Sequence, residues 1–182
     1  NEKWYILQKI NSTLFNPIEK LMRNIELVTE FNRARIIEKG GDPDRESLTI
    51  VRTKDGKTFL QLGENDYYRV YIFIRDTVAY QTVANPQDFY YSAIAFGNFN
   101  NLLAEFDASQ LYEILPNFHN TVKRYETFKE SIVKNESGRA SSVVSEISEY
   151  LKLEEIATKM YKMQKAGDLP LRVTHNDTKC NN

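Results

Sequence analysis

Three side chains near the end of the sequence, His175, Asp177 and Asn182, stand in the order H-x-D-x-x-x-x-N. A carboxylate can accept the proton of an attacking hydroxyl, and an amide oxygen can bind a hard divalent cation. Both tasks are limited by placement, so a short loop that holds the two groups at a fixed separation can do chemistry that scattered residues cannot. Without such a context the same Asn-rich polar stretch would be a solvated segment. Cys180, in the middle of it, has no metal-ligand or Cys/His spacing around it and reads as a small apolar residue packed behind the loop.

The segment before these residues is patterned to deliver them. A polar helix is expected to run up to Lys165, Ala166-Gly167-Asp168 to stop it, and Leu169–Val173 to form a short apolar strand leading into the loop. At the other end of the chain, Trp4–Ile10 reads as a strand. Asn16-Pro17 should open a long helix, with Asn16 as its cap, apolar Leu21, Ile25, Val28, Phe31 and Ile36 on one side, and Gly40-Gly41 as its end. Leu48–Arg52 and Lys57–Leu62 flank Thr53-Lys54-Asp55-Gly56 and predict a hairpin, followed by a central strand at Tyr67–Ile74. Pro86–Glu105, Ala108–Leu115, Asn120–Lys134 and Ala140–Lys165 then read as helices. The expected class is α+β in two lobes: residues 1–80 carry a small antiparallel sheet plus one long helix, residues 81–182 are mainly helical, and the boundary lies near Asp76–Pro86.

With 182 residues, 41% of them apolar and 12% aromatic, the chain can bury a sizeable core. Its 24 basic against 25 acidic residues leave a net charge of -1, so no global field favours nucleic acid or an anionic membrane, and any phosphate site must be local. No apolar stretch approaches the roughly 20 residues that span a bilayer. One cysteine excludes an internal disulfide, and together these features fit a cytoplasmic protein.

The loop resembles the catalytic loop of kinases, and His175-Asn176-Asp177 resembles that of the aminoglycoside and choline phosphotransferase superfamily. The run Leu169-Pro170-Leu171-Arg172-Val173-Thr174-His175-Asn176-Asp177-Thr178-Lys179 is similar to the N-acetylhexosamine 1-kinase branch. Asn176 stands where protein kinases carry the Arg of HRD. The resemblance implies a protein-kinase-like fold using ATP and Mg2+, with Asp177 as base, His175 ordering the loop and Asn182 as metal ligand. It implies phosphorylation of a small-molecule hydroxyl, foremost the anomeric hydroxyl of an N-acetylhexosamine, with choline and aminoglycosides as rival substrates. From another class comes a non-catalytic pseudokinase or interaction module.

Three further patches carry the resemblance. Tyr5-Ile6-Leu7-Gln8-Lys9-Ile10 is similar to the strand whose basic residue faces the nucleotide phosphates and is held by an acid on the next helix, for which Glu26 and Glu30 are candidates. Lys9 is the obvious cation, yet the pattern puts Gln8 in the slot. Neighbours on a strand point to opposite faces, so only one of the two can reach the phosphates. Asp66–Thr77 resembles the strand entering the hinge, where Phe73 and Ile74 would flank the base. Phe118–Tyr125 resembles a helix start capped by Asn120 or Thr121, with His119 and Arg124 as candidates for the sugar. The glycine-containing nucleotide loop is expected before residue 1 and a second metal-binding Asp after Asn182, so the sequence reads as an internal stretch that would not turn over alone.

Overall fold

The computed structural model describes residues 2–79, 81–83 and 85–179. The fold is α+β, with a small antiparallel sheet of four strands: β1 (Tyr5–Ile10), β2 (Ile50–Val51), β3 (Leu60–Gly63) and β4 (Asp66–Ile72). The helices are α1 (Ile18–Glu38), α2 (Pro43–Glu46), α3 (Pro86–Leu102), α4 (Thr121–Lys134), α5 (Val144–Lys152) and α6 (Glu154–Ala166). Residues up to Ile114, together with those from Arg172 onward, make one compact unit, and Leu115–Leu171 make the other.

Strand β4 is the hub of the first unit. Its Asp66-Tyr67-Tyr68-Arg69-Val70-Tyr71-Ile72 run is half-buried throughout, as expected of a strand flanked on both edges. β1 pairs antiparallel along one edge, with Gln8 opposite Arg69 and Lys9 opposite Tyr68. β2 and β3 share the other edge: Val51 lies opposite Val70 and Leu60 opposite Tyr68. The expected hairpin is therefore one strand interrupted by an excursion at residues 52–59. The Asp-Gly turn itself forms inside that excursion, where Gly56 N–H donates to Thr53 C=O at 2.9 Å and Gly56 takes φ 84°. What fails is the pairing of its flanks, because the long free edge of β4 competes for both.

Cross-strand partners point to the same face, so the register sorts the side chains. Ile6, Gln8 and Ile10 share one face with Tyr67, Arg69 and Tyr71. Helix α1 covers this face: Ile18 and Met22 are buried against Ile10, with Phe15, Leu21, Ile25, Ile50, Phe59 and Tyr67 around them. The opposite face carries Tyr5 and Leu7, 56% and 68% exposed, together with Lys9. The 21-residue α1 begins at Ile18 with Pro17 as cap residue and no side-chain cap bond, rather than on an Asn16 cap. Arg33 fastens the unanticipated α2 to α1 through Asp44 at 3.0 Å, Thr49 Oγ1 and the Pro43 carbonyl.

Helix α3 starts as the sequence suggests, with Asn85 accepting from Gln87 N–H at 2.9 Å and Pro86 in the first turn. The chain that follows stays with the first unit instead of leaving it near residue 80. Phe106 packs edge-on to Phe31 of α1 at 5.3 Å, Arg35 pairs with Glu105 at 2.7 Å, and the Asn24 side chain bonds both backbone groups of Tyr112. Only a 3-10 turn, Ala108–Gln110, occupies the stretch expected to be a helix up to Leu115.

In the second unit Asn120 caps α4, accepting from Lys123 N–H at 3.1 Å. The helix expected over 140–165 divides into a 3-10 turn at Ala140–Val143, α5 and α6. The break follows Tyr150, whose carbonyl accepts the hydroxyl of buried Tyr125 at 2.7 Å; a hydroxyl taken out of water needs such a partner. Leu169–Val173, expected as a strand, is not in any ladder. A short apolar run becomes a strand only where an edge accepts it, and none of the four strands pairs with this one.

The core predicts its own mutational profile. Met22→Ala should cost about 2–4 kcal/mol, since Met22 is 1% exposed and its loss leaves a cavity that α1 and the sheet close only in part. Val133→Ala, at a position 85% exposed, should stay within about 0.5 kcal/mol. Denaturant titration of the two variants checks the contrast.

Candidate functional site

The loop after Arg172 belongs to the same compact unit as the sheet. His175 is its anchor. The imidazole meets the rings of Phe96 and Phe99 edge-on, at 5.1 and 6.0 Å between centroids. The two phenylalanines stand three apart on α3, the spacing that brings side chains onto one helix face. The next residue turns the chain: Asn176 adopts φ 61°, a conformation that asparagine tolerates better than most side chains. Thr174 Oγ1 donates to Asn176 Oδ1 at 2.7 Å and holds the turn.

Beyond the turn Asp177 is exposed, its carboxylate 3.6 Å from Lys179 Nζ. The turn at Asn176 thus separates a ring packed edge-on against two aromatic side chains from a carboxylate that faces solvent beside a cation. Next to it, Val78, Asp88, Tyr91, Phe96, Phe99 and His175 line an open cavity of about 510 Å³. Cys180 and Asn182 lie outside the described residues. Among the described residues no cluster of three or more His, Cys, Asp or Glu side chains could hold a metal ion.

The sheet separates Gln8 from Lys9. Lys9 lies on the face away from α1, where it pairs with Asp66 at 2.5 Å; the hydrogen bond and charge of Asp66 raise its pKa. Gln8 lies on the α1 face, where its Oε1 accepts from Arg69 Nε at 2.8 Å. The α1 acids are out of reach of Lys9 and take a different cation. Arg52 binds Glu26 at 2.5 Å and Glu30 at 2.9 Å, which ties the 52–59 excursion to the helix. Glu26 also accepts from Arg23 at 2.9 Å. Burial pushes the Glu26 carboxyl up, but hydrogen bonds from Arg52 and Arg23 outweigh it and leave the pKa lowered.

Phe73 and Ile74 follow the end of β4 and are half-buried. Phe73 stacks on Trp4 at 6.0 Å, and its N–H donates to the Trp4 carbonyl at 2.9 Å. In the other unit, Arg124 is turned inward onto its own helix start: both Nε and Nη2 donate to the Phe118 carbonyl, at 3.0 and 2.5 Å, and the guanidinium lies over the Phe118 ring. His119 is exposed, edge-on to the same ring at 4.7 Å. The two candidates for the sugar thus share the Phe118 segment, with Arg124 engaged in capping it.

Sequence reasoning left out three residues that the geometry brings forward. Phe96 and Phe99 carry a readable signal, an i, i+3 aromatic pair, but that spacing more often marks a core stripe. Arg69 is a charge between aromatic and apolar neighbours in the middle of β4, and only the register sets it opposite Gln8. No family model matches the sequence.

The Glu26 cluster makes a pH-dependent prediction. A carboxyl whose folded pKa is lowered contributes stability above its unfolded pKa and loses it as pH falls through the folded value. Glu26→Gln should therefore cost about 1 kcal/mol near neutral pH, and the deficit should shrink as pH drops below the ordinary carboxylate range. Denaturation of both proteins at a series of pH values tests this; a deficit independent of pH would assign the loss to packing.

Proposed function

We propose that the protein is an ATP- and Mg2+-dependent small-molecule kinase with a two-lobed protein-kinase-like fold, acting on a sugar hydroxyl, foremost the anomeric hydroxyl of an N-acetylhexosamine. One observation carries the reading: the exposed ring of His175 meets Phe96 and Phe99 edge-on, and Asp177, two residues on across the Asn176 turn, is exposed as well. That is how a loop holds a base still in front of an incoming hydroxyl. The element order of the first unit, strand, long helix, interrupted strand, strand, agrees with what the resemblance of the loop implies for a nucleotide-binding lobe.

In this reaction the sugar hydroxyl attacks the γ-phosphorus, its proton passes to the Asp177 carboxylate, the new O–P bond forms, and the bond to the β,γ-bridging oxygen breaks with ADP leaving. A hemiacetal hydroxyl is more acidic than an ordinary alcohol, so a carboxylate of modest basicity suffices. His175 positions the loop and Asn176 sets the turn that presents the base. Magnesium is a hard cation that takes one or two protein oxygens and fills its remaining sites with phosphate and water. Asn182 is the residue assigned to it, and the cation when bound neutralises charge on the phosphate oxygens.

The test is ATP consumption by the full-length protein across hexosamines, hexoses, choline and aminoglycosides. A hexosamine should give the highest kcat/KM. Asp177→Asn should lower kcat by a factor of about a hundred or more while nucleotide affinity changes little. Near-normal kcat in that variant would remove Asp177 from the mechanism, and no turnover with any acceptor would favour a non-catalytic relative.

A further inference from the structure

On the α1 face of the sheet stands a cation, Arg69, for which no carboxylate partner is found among the described residues. Arg69 is half-buried in β4. Its described partner is a neutral amide, Gln8 Oε1, which takes the Nε–H. The arginines around it are satisfied differently: Arg23, Arg33, Arg35 and Arg52 each close on a carboxylate at 2.5–3.0 Å. Removing a guanidinium from water without an anion is unfavourable, and burial does lower the pKa of Arg69. The structure keeps this arrangement beside a cavity of about 280 Å³ lined by Gln8, Arg69, Phe15, Leu21 and Ile25, with Lys9 also on its wall but with its ammonium paired to Asp66. With Nε committed to Gln8, the two terminal nitrogens remain as a fork for a bidentate oxyanion.

We infer that Arg69, oriented by Gln8, supplies the cation that grips the nucleotide phosphates, in place of a lysine on β1. The inference rests on the kinase reading for the identity of the anion. It resolves the choice between Gln8 and Lys9: Gln8 occupies the slot facing α1, its neutral side chain positions rather than neutralises, and the charge comes across the ladder from β4. Lys9, on the other face with Asp66, stabilises the sheet edge.

Calorimetric titration of the full-length protein with ATP·Mg2+ and, separately, with adenosine tests this. Arg69→Gln should weaken ATP binding by about tenfold or more, the loss of a charge-assisted pair of hydrogen bonds, and leave adenosine affinity unchanged. Arg69→Lys should keep part of the ATP affinity, and Lys9→Met all of it. Gln8→Glu guards against a folding artefact, since the carboxylate it introduces pairs with Arg69, holds the strands together and should still weaken ATP. Wild-type binding of ATP with equal affinity in Arg69→Gln, or in Gln8→Glu where the first variant does not fold, would overturn the inference and leave the kinase reading intact. A wild-type protein that binds no ATP would overturn both.

Discussion

A β-strand has two edges and two faces, and β4 uses both edges and one face. One edge pairs with β1, the other is shared by β2 and β3, and one face is covered by α1. That allocation decides what the other segments can become. Leu48–Arg52 and Lys57–Leu62 cannot zip into a hairpin because each finds a longer partner in β4, so residues between them are pushed outward. The excursion is then held by Arg52, which reaches the α1 carboxylates. Those carboxylates would have been the natural partners of a lysine on β1, had it faced them. A single register, Gln8 opposite Arg69, thus determines which cation meets which acid on this side of the molecule.

Local signals were legible where they acted over a few residues. The long helix, the Asp-Gly turn, the Asn120 and Asn85 caps and the central strand follow from composition and spacing, because capping and turn chemistry are settled by neighbours in the chain. Hidden from the sequence were the outcomes of competition between distant segments. Leu169–Val173 is apolar enough for a strand, but it pairs with none of the strands. Ala140–Lys165 carries a continuous helical period, yet the Tyr125 hydroxyl finds its acceptor at the Tyr150 carbonyl, where the helix breaks. The move from residue 86 back onto α1 depends on Phe106, Glu105 and Tyr112 finding partners far away in sequence, which no periodicity announces.

The candidate site divides along the same line. His175 and Asp177 could be named from their spacing because a loop is a local object. The aromatic seat that fixes His175 lies on α3, roughly eighty residues earlier, and Phe96 and Phe99 would pass for core stripe in any helical reading. The ambiguity between Gln8 and Lys9 could be stated from alternation alone, but alternation says only that the two differ. Which of them faces the helix depends on packing: Ile10, two residues beyond Gln8, is buried against Ile18 and Met22, so Gln8 shares its face and Lys9 does not.

This packing also explains why the charge on the helix-facing surface sits on β4. A lysine at position 8 would need its long stem to bend past Leu21 and Ile25 before reaching an anion, whereas a guanidinium on the central strand is clamped from the side by the Gln8 amide and points its fork from a fixed base. Glu26, bound by both Arg52 and Arg23, has little residual charge to offer a third cation. Glu26, Glu30 and Glu38 of α1 are therefore paired with Arg52, Arg23 and Arg35, and next to the cavity the guanidinium of Arg69 has a neutral partner while Lys9 is paired with Asp66. On a chain whose net charge is only -1, attraction of an anion must come from such a local imbalance rather than from a general field. The fold creates that imbalance by pairing its acids elsewhere.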